Sequence, residues 1–479
     1  MSSWPLRVTV LNWRDTTHPE GGGSERYVER IAAGLAADGC EVVVRCARPA
    51  GAARREERDG FTLVRAGGRL GVYPRALLGL LADRLRGRGP QVVLEVQNGV
   101  PFFARLTAGC PVVVLVHHVH REQWPVALGP VAARVGWWVE SWLAPRALRG
   151  QQYVTVSQVS RSELTGLGVD SAAVAVVHNG VDPLPAPVAA APADRGASPD
   201  AGPTLVVLGR LVPHKRVEHA LEVVARLRPR HPGLRLRVVG EGWWHERLAA
   251  EAHRLGVEDA VDFLGFVSEA EKDAVLAGAT VMLAPSLKEG WGLMVVEAAQ
   301  HGVPTVAYHG AGGLSESVLD GRTGLLVDDL DAMVAATDRL LRDAALRESL
   351  GEVARGHAAR FTWRAATTAM ERLLRRAADG LAPVADADEG VAAGGFPGPA
   401  LVLLPVVQDL LGGAVADGAG RGGDGVGGQV GRLAGDERAG HGDCGATTGE
   451  GHEQGHDERR ADPASVTGSA AHGSSKRAG

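Results

Sequence analysis

The stretch EGWGLMVVE, Glu289 to Glu297, decides how this chain is read. It sets two carboxylates eight positions apart, with a Gly-Trp-Gly turn just inside the first. A strand-like run precedes it (ATVMLAPSLK, Ala279 to Lys288) and an amphipathic run follows it (LMVVEAAQHGVP, Leu293 to Pro304). A strand that turns through glycines into a helix N-terminus presents backbone N–H groups and the positive end of the helix dipole, which suit a phosphate or pyrophosphate. With the helix starting near Gly292, Glu297 lies more than one turn inside it and leans back toward its N-terminal end. Glu289 stays on the loop, on the other side of the anion site. One acid can then bind hydroxyls of one sugar and the other acid hydroxyls of a second, with phosphates between them. A nucleotide sugar has that layout. Two glutamates alone fit a solvated loop and surface helix as well.

A second segment shifts the balance: TLVVLGRLVPHKRVEHALEVV, Thr204 to Val224. Leu205 to Leu208 read as a buried strand ending at Gly209, and Arg210 and Lys215 sit on the loop that follows. Two cations at the carboxyl end of a parallel strand occupy the place where an open α/β sheet takes an anionic ligand. Lysine is rare here. Of 51 Lys+Arg, only Lys215, Lys272, Lys288 and Lys476 are lysine, and Lys215 and Lys288 fall in the two candidate segments. A compact ammonium contacts phosphate as a point charge.

Taken with other elements in order, these segments resemble the retaining glycosyltransferases of family four (glycosyl transferases group 1), which have the two-domain GT-B fold. The resemblance runs from the N-terminus to about residue 378. It is carried by GGGSE (Gly21–Glu25), LVHHVH (Leu115–His120), VTVSQVSRSEL (Val154–Leu164), VVHNGVD (Val176–Asp182), GRL with Lys215, VVGEG (Val238–Gly242), LGFV (Leu264–Val267), EGWGLMVVE, and GAGGLSESV with DGRTGLLV. Each element is weak alone; the order and spacing make the match. The resemblance implies transfer of a hexose from a nucleotide diphosphate sugar to an acceptor hydroxyl with retention at the anomeric carbon, without a metal or other cofactor. Arg210 and Lys215 would then neutralise the diphosphate, helped by the backbone N–H groups of Gly292 and Leu293. Glu297 would hold the donor ribose and Glu289 hydroxyls of the transferred sugar. Gly22 and Gly23 would let the backbone approach the phosphates or acceptor. His117 matches the family's histidine facing the donor sugar, with His118 and His120 as competing assignments.

Composition agrees with a multidomain globular protein: 479 residues, 45% hydrophobic and 22% charged. A net charge of -5 offers no overall basic face for nucleic acid. Cys40, Cys46 and Cys110 lie in or beside apolar runs and read as reduced core thiols; with Cys444 they show no metal-ligand spacing. The opening MSSWPLRVTVLNW lacks the pattern of a secretory signal, and no apolar run approaches the ~20 residues of a membrane span. The simplest expectation is a cytoplasmic protein, with a peripheral place at the inner membrane surface as a variant of it.

Strand-like and helix-like runs alternate throughout, which means parallel sheets covered on both faces. Strands are expected at Leu6–Leu11, Glu41–Cys46, Gln91–Val96, Pro111–Val116 and Tyr153–Val156, with a helix over Glu25–Ala37. A second set falls near Leu205, Leu236, Val261, Val281, Thr305 and Leu325. The expected organisation is an N-terminal Rossmann-like acceptor domain (1–185), a linker (186–203), a C-terminal Rossmann-like donor domain (204–360), a helix crossing back (361–378), and a low-complexity tail (379–479). That tail is too poor in apolar residues to offset its ordering entropy and is expected to be mostly disordered, with an apolar island at Pro399–Leu411 that reads as a short helix or a partner-binding segment.

Two other readings bear on function. A dinucleotide oxidoreductase fits poorly: no G-x-G-x-x-G closely follows the first strand, and the second ends at Cys46-Ala47-Arg48 without an acid for a ribose. A non-catalytic nucleotide-sugar binding protein of the same fold would retain Arg210, Lys215, Glu289 and Glu297. The segment RVGWWVESWLAPR, Arg134 to Arg146, sets Trp138 and Trp142 one turn apart between arginines. A core helix is the favoured reading; a membrane-surface helix serving a lipid-linked acceptor is the other.

Overall fold

A computed structural model describes residues 5–18, 21–184 and 202–386. Most of the expected linker, nearly all of the tail with its apolar island, Cys444 and Lys476 lie outside the described residues. The described chain builds two α/β layers, each around its own sheet.

The first sheet has eight strands: β1 (Arg7–Leu11), β2 (Glu41–Cys46), β3 (Arg55–Arg58), β4 (Phe61–Arg65), β5 (Val92–Val96), β6 (Val112–Val116), β7 (Gln152–Thr155) and β8 (Val174–Val176). Their order is β3-β4-β2-β1-β5-β6-β7-β8, parallel except for the β3–β4 hairpin. Valine-rich runs such as VVVLV of β6 are buried at every position, as a sheet covered on both faces requires. The second sheet, β9 (Thr204–Leu208), β10 (Arg235–Val239), β11 (Val261–Gly265), β12 (Val281–Ala284), β13 (Thr305–Tyr308) and β14 (Gly324–Val327), runs β11-β10-β9-β12-β13-β14 and is parallel throughout. Both are doubly wound, the GT-B arrangement. The β3–β4 hairpin and β8 are the strands that sequence periodicity missed. REER in β3 lies at an edge with only intermediate burial, so it carries no apolar signal.

In each sheet the strand order reverses beside the first strand, between β1 and β5 and again between β9 and β12. Ligands of open α/β sheets bind in the crevice at the carboxyl ends of the strands at such reversals. The two crevices open into one cleft.

The helix Trp363–Ala378 lies against the helix Gly23–Ala37 of the first half, burying Ala366, Met370, Leu373 and Leu374 at a helical repeat. Thr362 caps it by accepting from the Ala365 N–H at 3.1 Å. The apolar cluster beneath it also takes in Trp291, Val296, Ala354 and Ala358 of the second half, so one core runs through both. Polar ties add to this: the Glu316 carboxylate accepts from the N–H groups of Gln158 (2.9 Å) and Val159 (2.7 Å), at the start of the helix Gln158–Gly166.

Two expectations need correction. Residues 379–386, assigned to the tail, include a buried clip: the Gln152 amide donates to the Val384 carbonyl and its oxygen accepts from the Val384 N–H, both at 2.8 Å. Composition misses a clip made by one buried amide. The Arg134–Arg146 segment is not a core helix. It is the helix Pro130–Trp138 running on through a π-turn (Val139–Leu143), with Glu140 buried and Trp138 and Trp142 49% and 45% exposed.

Candidate active site

The cleft floor in the second half comes from loops at the strand-order reversal. After β9, Gly209 (φ 151) turns the chain so that Lys215 comes back beside it; a Cβ on Gly209 would lie 3.6 Å from the Lys215 Nζ. After β12, Pro285 to Gly292 form the loop that carries Glu289. Lys215 and Glu289 meet in an ion pair, and the Ser286 hydroxyl donates to the Glu289 carboxylate at 2.6 Å. Burial pushes the Glu289 carboxyl up, but the Lys215 ammonium and the bonds from Lys215 and Ser286 outweigh it and leave the group below its ordinary range. Glu289 is therefore ionised at neutral pH. His214, next to Lys215, is pushed down to about 4, first by burial and then by the Lys215 charge. Arg210 lines the same cleft, its Nε 3.6 Å from where a Cβ on Gly22 would lie.

Two helix N-termini converge there. Gly292 caps the helix Leu293–Gln300 in the left-handed conformation (φ 88, ψ 58), and a Cβ on it would strike Leu314 Cδ2 at 2.4 Å. Only glycine fits. From the first half, Gly22 and Gly23 open the helix Gly23–Ala37; a Cβ on Gly23 would lie 3.3 Å from Leu293 Cδ1. The first N–H groups of the helix Leu293–Gln300 have no intrahelical acceptor, so Gly292 and Leu293 bound a region of positive potential with Arg210 and Lys215. At the other helix the Gly22 N–H already donates to the buried Glu25 carboxylate at 2.7 Å, and Gly22 and Gly23 contribute close approach of the backbone.

Glu297 sits in the second turn of its helix, 14% exposed, and is bound by Lys272 (2.7 Å) and by Arg26 of the first half (3.5 Å). Arg26 also bonds Asp182 (2.5 Å) and Glu269 (2.9 Å), so this knot ties the two walls together. Sequence reading missed Lys272 and Arg26. The scarcity of lysine was the available signal: Lys215, Lys272 and Lys288 all line the cleft in ion pairs, and Lys288 reaches Glu122 and Glu163 across it.

The three histidines differ. His118 Nε2 bonds Gln123 at 2.9 Å, and His120 Nδ1 bonds Glu140 at 2.9 Å. His117 packs edge-on against Tyr27, and its Nε2 has no hydrogen-bond partner although it is buried. Burial pushes its pKa down to about 4, so the ring is neutral above that. Its carbonyl faces the loop Pro285–Gly292: a Cβ on Gly290 would meet His117 O at 2.7 Å. The expected site residues thus all border one cleft or its walls.

The cleft has a volume of about 2170 Å³, against roughly 300–1,000 Å³ for a single small-molecule pocket. Two substrates fit. Its far wall, on the first half, carries Trp13, Arg14, Tyr73, Asn98 and Trp124. The Arg14 guanidinium lies 4.7 Å from the Trp13 ring centre and its Nε donates to the buried Glu25 carboxylate at 3.0 Å, an aromatic and arginine wall that sequence reading left unassigned. Among the described residues there is no group of three His, Cys, Asp or Glu side chains placed to hold a metal.

Two doubly wound halves enclosing a cleft lined by paired cations, helix N-termini and two glutamates define the GT-B glycosyltransferase class. The family comparisons agree. Residues 21–183 match the family described as Glycosyltransferase Family 4, and residues 193–357 match Glycosyl transferases group 1. The chain belongs to this family. It is 34% identical over 236 residues to the glycogen synthase of Mycobacterium tuberculosis, covering 48% of this chain and 55% of that protein. It therefore spans about half the length of that curated relative. Among solved structures, the sucrose-phosphate synthase of Thermosynechococcus elongatus superposes with a TM-score of 0.65 at 23% identity, covering 78% of this chain and 98% of that one. Anabaena HepE in complex with UDP-glucose gives 0.60 at 18% identity, covering 77% and 99%. At these identities the likeness shows the fold.

Proposed function

We propose that this chain is a retaining hexosyltransferase that moves a sugar from a nucleotide diphosphate donor, bound mainly by the second half, to an acceptor hydroxyl held on the first. One observation carries this reading: Arg210, Lys215, Glu289 and two helix N-termini meet at the strand-order reversal, in a cleft with room for two substrates. Without ligand, Lys215 neutralises Glu289, and Lys272 with Arg26 neutralise Glu297. A donor exchanges these partners. Its diphosphate draws Lys215 and Arg210 and takes N–H groups at Gly292 and Leu293. Its ribose hydroxyls engage Glu297, and the hydroxyls of the transferred sugar engage Glu289. Gly22 and Gly23 let the first half close on the phosphates. His117 Nε2, neutral and unpartnered, bonds a donor-sugar hydroxyl.

As the glycosidic bond breaks, negative charge grows on the leaving diphosphate and positive charge on the sugar ring. The cations and N–H groups stabilise the first and ionised Glu289 favours the second; each counts for rate because it acts more strongly on the transition state. Departure and attack on the same face give retention, with the leaving phosphate accepting the acceptor proton, so no separate protein base is required. The Trp13–Arg14 platform is the acceptor wall. We place the protein in the cytoplasm, where nucleotide sugars are made. None of the helices among the described residues is long and apolar enough to cross a membrane.

The test is a panel of nucleoside diphosphates read by thermal shift, since a ligand of the folded state raises its midpoint by mass action. One base should stand out, with diphosphate far exceeding nucleoside. Losing a charge-assisted contact in Lys215→Ala or Arg210→Ala should cost about 1.5–3 kcal/mol, roughly ten- to a hundredfold in diphosphate affinity, with nucleoside binding unchanged. Equal diphosphate affinity in variants and parent would remove both residues from the site. Binding without turnover of any nucleotide sugar would favour the non-catalytic binding protein.

A further inference from the structure

We propose that the outer face of the first half is a docking surface for an anionic lipid bilayer, built from the helix Pro130–Trp138 with its π-turn, the helix Val72–Leu85 and the turn Ala104–Leu106. The surface lies apart from the donor site and does not depend on the reading of it.

Exposure is the first observation. Among the described residues, fifteen large apolar side chains stand out of the surface, and seven of them belong to these three segments. Val131, Val135, Trp138 and Trp142 follow at spacings of four, three and four, one stripe along a helix. The Trp138 and Trp142 rings stack on each other at 5.3 Å. Leu78 and Leu85 (64% and 78% exposed) face outward on the second helix, opposite buried Val72, Ala76 and Leu80, and Leu106 is 79% exposed on the turn. A folded chain seldom leaves so much apolar surface in one region without a partner.

The segments are neighbours. Val72, Ala76, Leu80, Ala104 and Leu148 share one core layer on the same side of the first sheet. Arg105 Nη1 donates to the Arg149 carbonyl at 3.4 Å, joining the turn to the end of the tryptophan helix. The Arg84 guanidinium lies 2.5 Å from where a Cβ on Gly109 would stand, joining the other helix to the same turn.

Charge selects the partner. Residues 72–88, 104–110 and 129–150 hold eight arginines and two acids, in a chain whose net charge is -5. Both acids are spent inward: Asp83 pairs with Arg45, and buried Glu140 accepts from His120 and Trp124. Arg146 lies over the Trp142 ring at 4.5 Å, and Arg134 and Arg149 flank the stripe. Tryptophan suits the bilayer interface, where its ring is half wet, and arginine stems cover apolar surface while their heads meet lipid phosphates. Basic residues near an anionic leaflet add attraction that salt screens.

The test is co-sedimentation of the full chain with vesicles of phosphatidylcholine, with and without phosphatidylglycerol, together with tryptophan emission. The expected result is binding to the anionic vesicles with a blue shift, weakened about tenfold by raising salt. Trp138→Ser with Trp142→Ser should weaken it at least tenfold, while the thermal shift with nucleoside diphosphate stays as in the parent. Arg146→Glu with Arg149→Glu keeps the apolar stripe and should abolish the preference for phosphatidylglycerol. No binding to anionic vesicles, or equal binding by parent and both variants, would overturn the proposal. A concentration-dependent dimer that the tryptophan variant disperses, with no vesicle binding, would instead assign the face to a second copy of the chain.

Discussion

Burial holds several histidines neutral among the described residues, and that fixes a pH window. Burial pushes His117, His178 and His214 down to about 4 from an ordinary 6.5, and His118 well below its ordinary value. In the unfolded chain they bind protons below about 6.5; in the folded chain His117, His178 and His214 do not until about 4, and His118 stays neutral well below its ordinary value. A depressed folded pKa means stability that is complete above 6.5 and is lost as pH falls toward 4. The thermal midpoint should be flat from pH 8 to 7 and drop steadily between 6.5 and 4. His178 is the one to replace, because it lies outside the proposed donor contacts, with its ring stacked on Phe361. His178→Phe should make the drop shallower. A midpoint that does not change between pH 6.5 and 4 would contradict the assignment. Glu289 has a carboxyl pKa lowered from 4.5, so its contribution is complete above 4.5 and is lost as pH falls below that value.

At the scale of the element, glycines decide how closely the loops approach. Gly292→Ala would force a non-glycine residue to the left-handed conformation, about 1–2 kcal/mol, and drive a methyl into Leu314. Diphosphate affinity should fall together with stability, because the same turn aims the helix N-terminus. Gly34 lies where the helices Gly23–Ala37 and Trp363–Ala378 cross, and a Cβ there would come within 2.3 Å of Thr367 Oγ1. Gly34→Ala should cost about 1–3 kcal/mol by overpacking, with donor affinity unchanged. Chemical denaturation of both variants checks this: equal loss of diphosphate binding in the two would mean the Gly292 turn has no special role.

Much of the architecture was legible for a physical reason. Strands buried on both faces must be continuous apolar runs, and the second sheet's six strands stand near every position where such a run occurs. The site was legible in outline because glycine turns after strands and isolated lysines are uncommon choices. Edge elements were not: REER in β3 owes its place to pairing with β4. Arg26 was hidden because its partners Asp182, Glu269 and Glu297 are 156, 243 and 271 residues away. Nor could periodicity decide which side of the Trp138–Trp142 helix faces the core. That helix is apolar nearly all round, and the burial of Glu140 beneath His120 and Trp124 sets its rotation.

At the scale of the whole molecule, the halves are joined by one apolar cluster and by the Val384 clip. Removing residues after Asp386 should leave the thermal midpoint unchanged. Removing those after Ala378 should lower it by several degrees, since about 1–3 kcal/mol is lost when the buried Gln152 amide oxygen loses the Val384 N–H, although its NH2 group keeps the Tyr153 and Ala173 carbonyls. Identical midpoints for the two truncations would show that the clip contributes nothing.

The decisive measurement is the initial rate of nucleotide-sugar hydrolysis without acceptor, for the parent, Glu289→Gln and Glu297→Gln, with the donor base chosen from the thermal-shift panel. Glu297→Gln should act mainly on KM, because in the proposed complex it touches the ribose equally in ground and transition states. Glu289→Gln should act mainly on kcat, because in the proposed complex its charge faces the ring where positive charge develops. If the parent turns over donor and neither substitution alters KM or kcat, the two glutamates do not hold the donor, and the cleft reading proposed here is wrong.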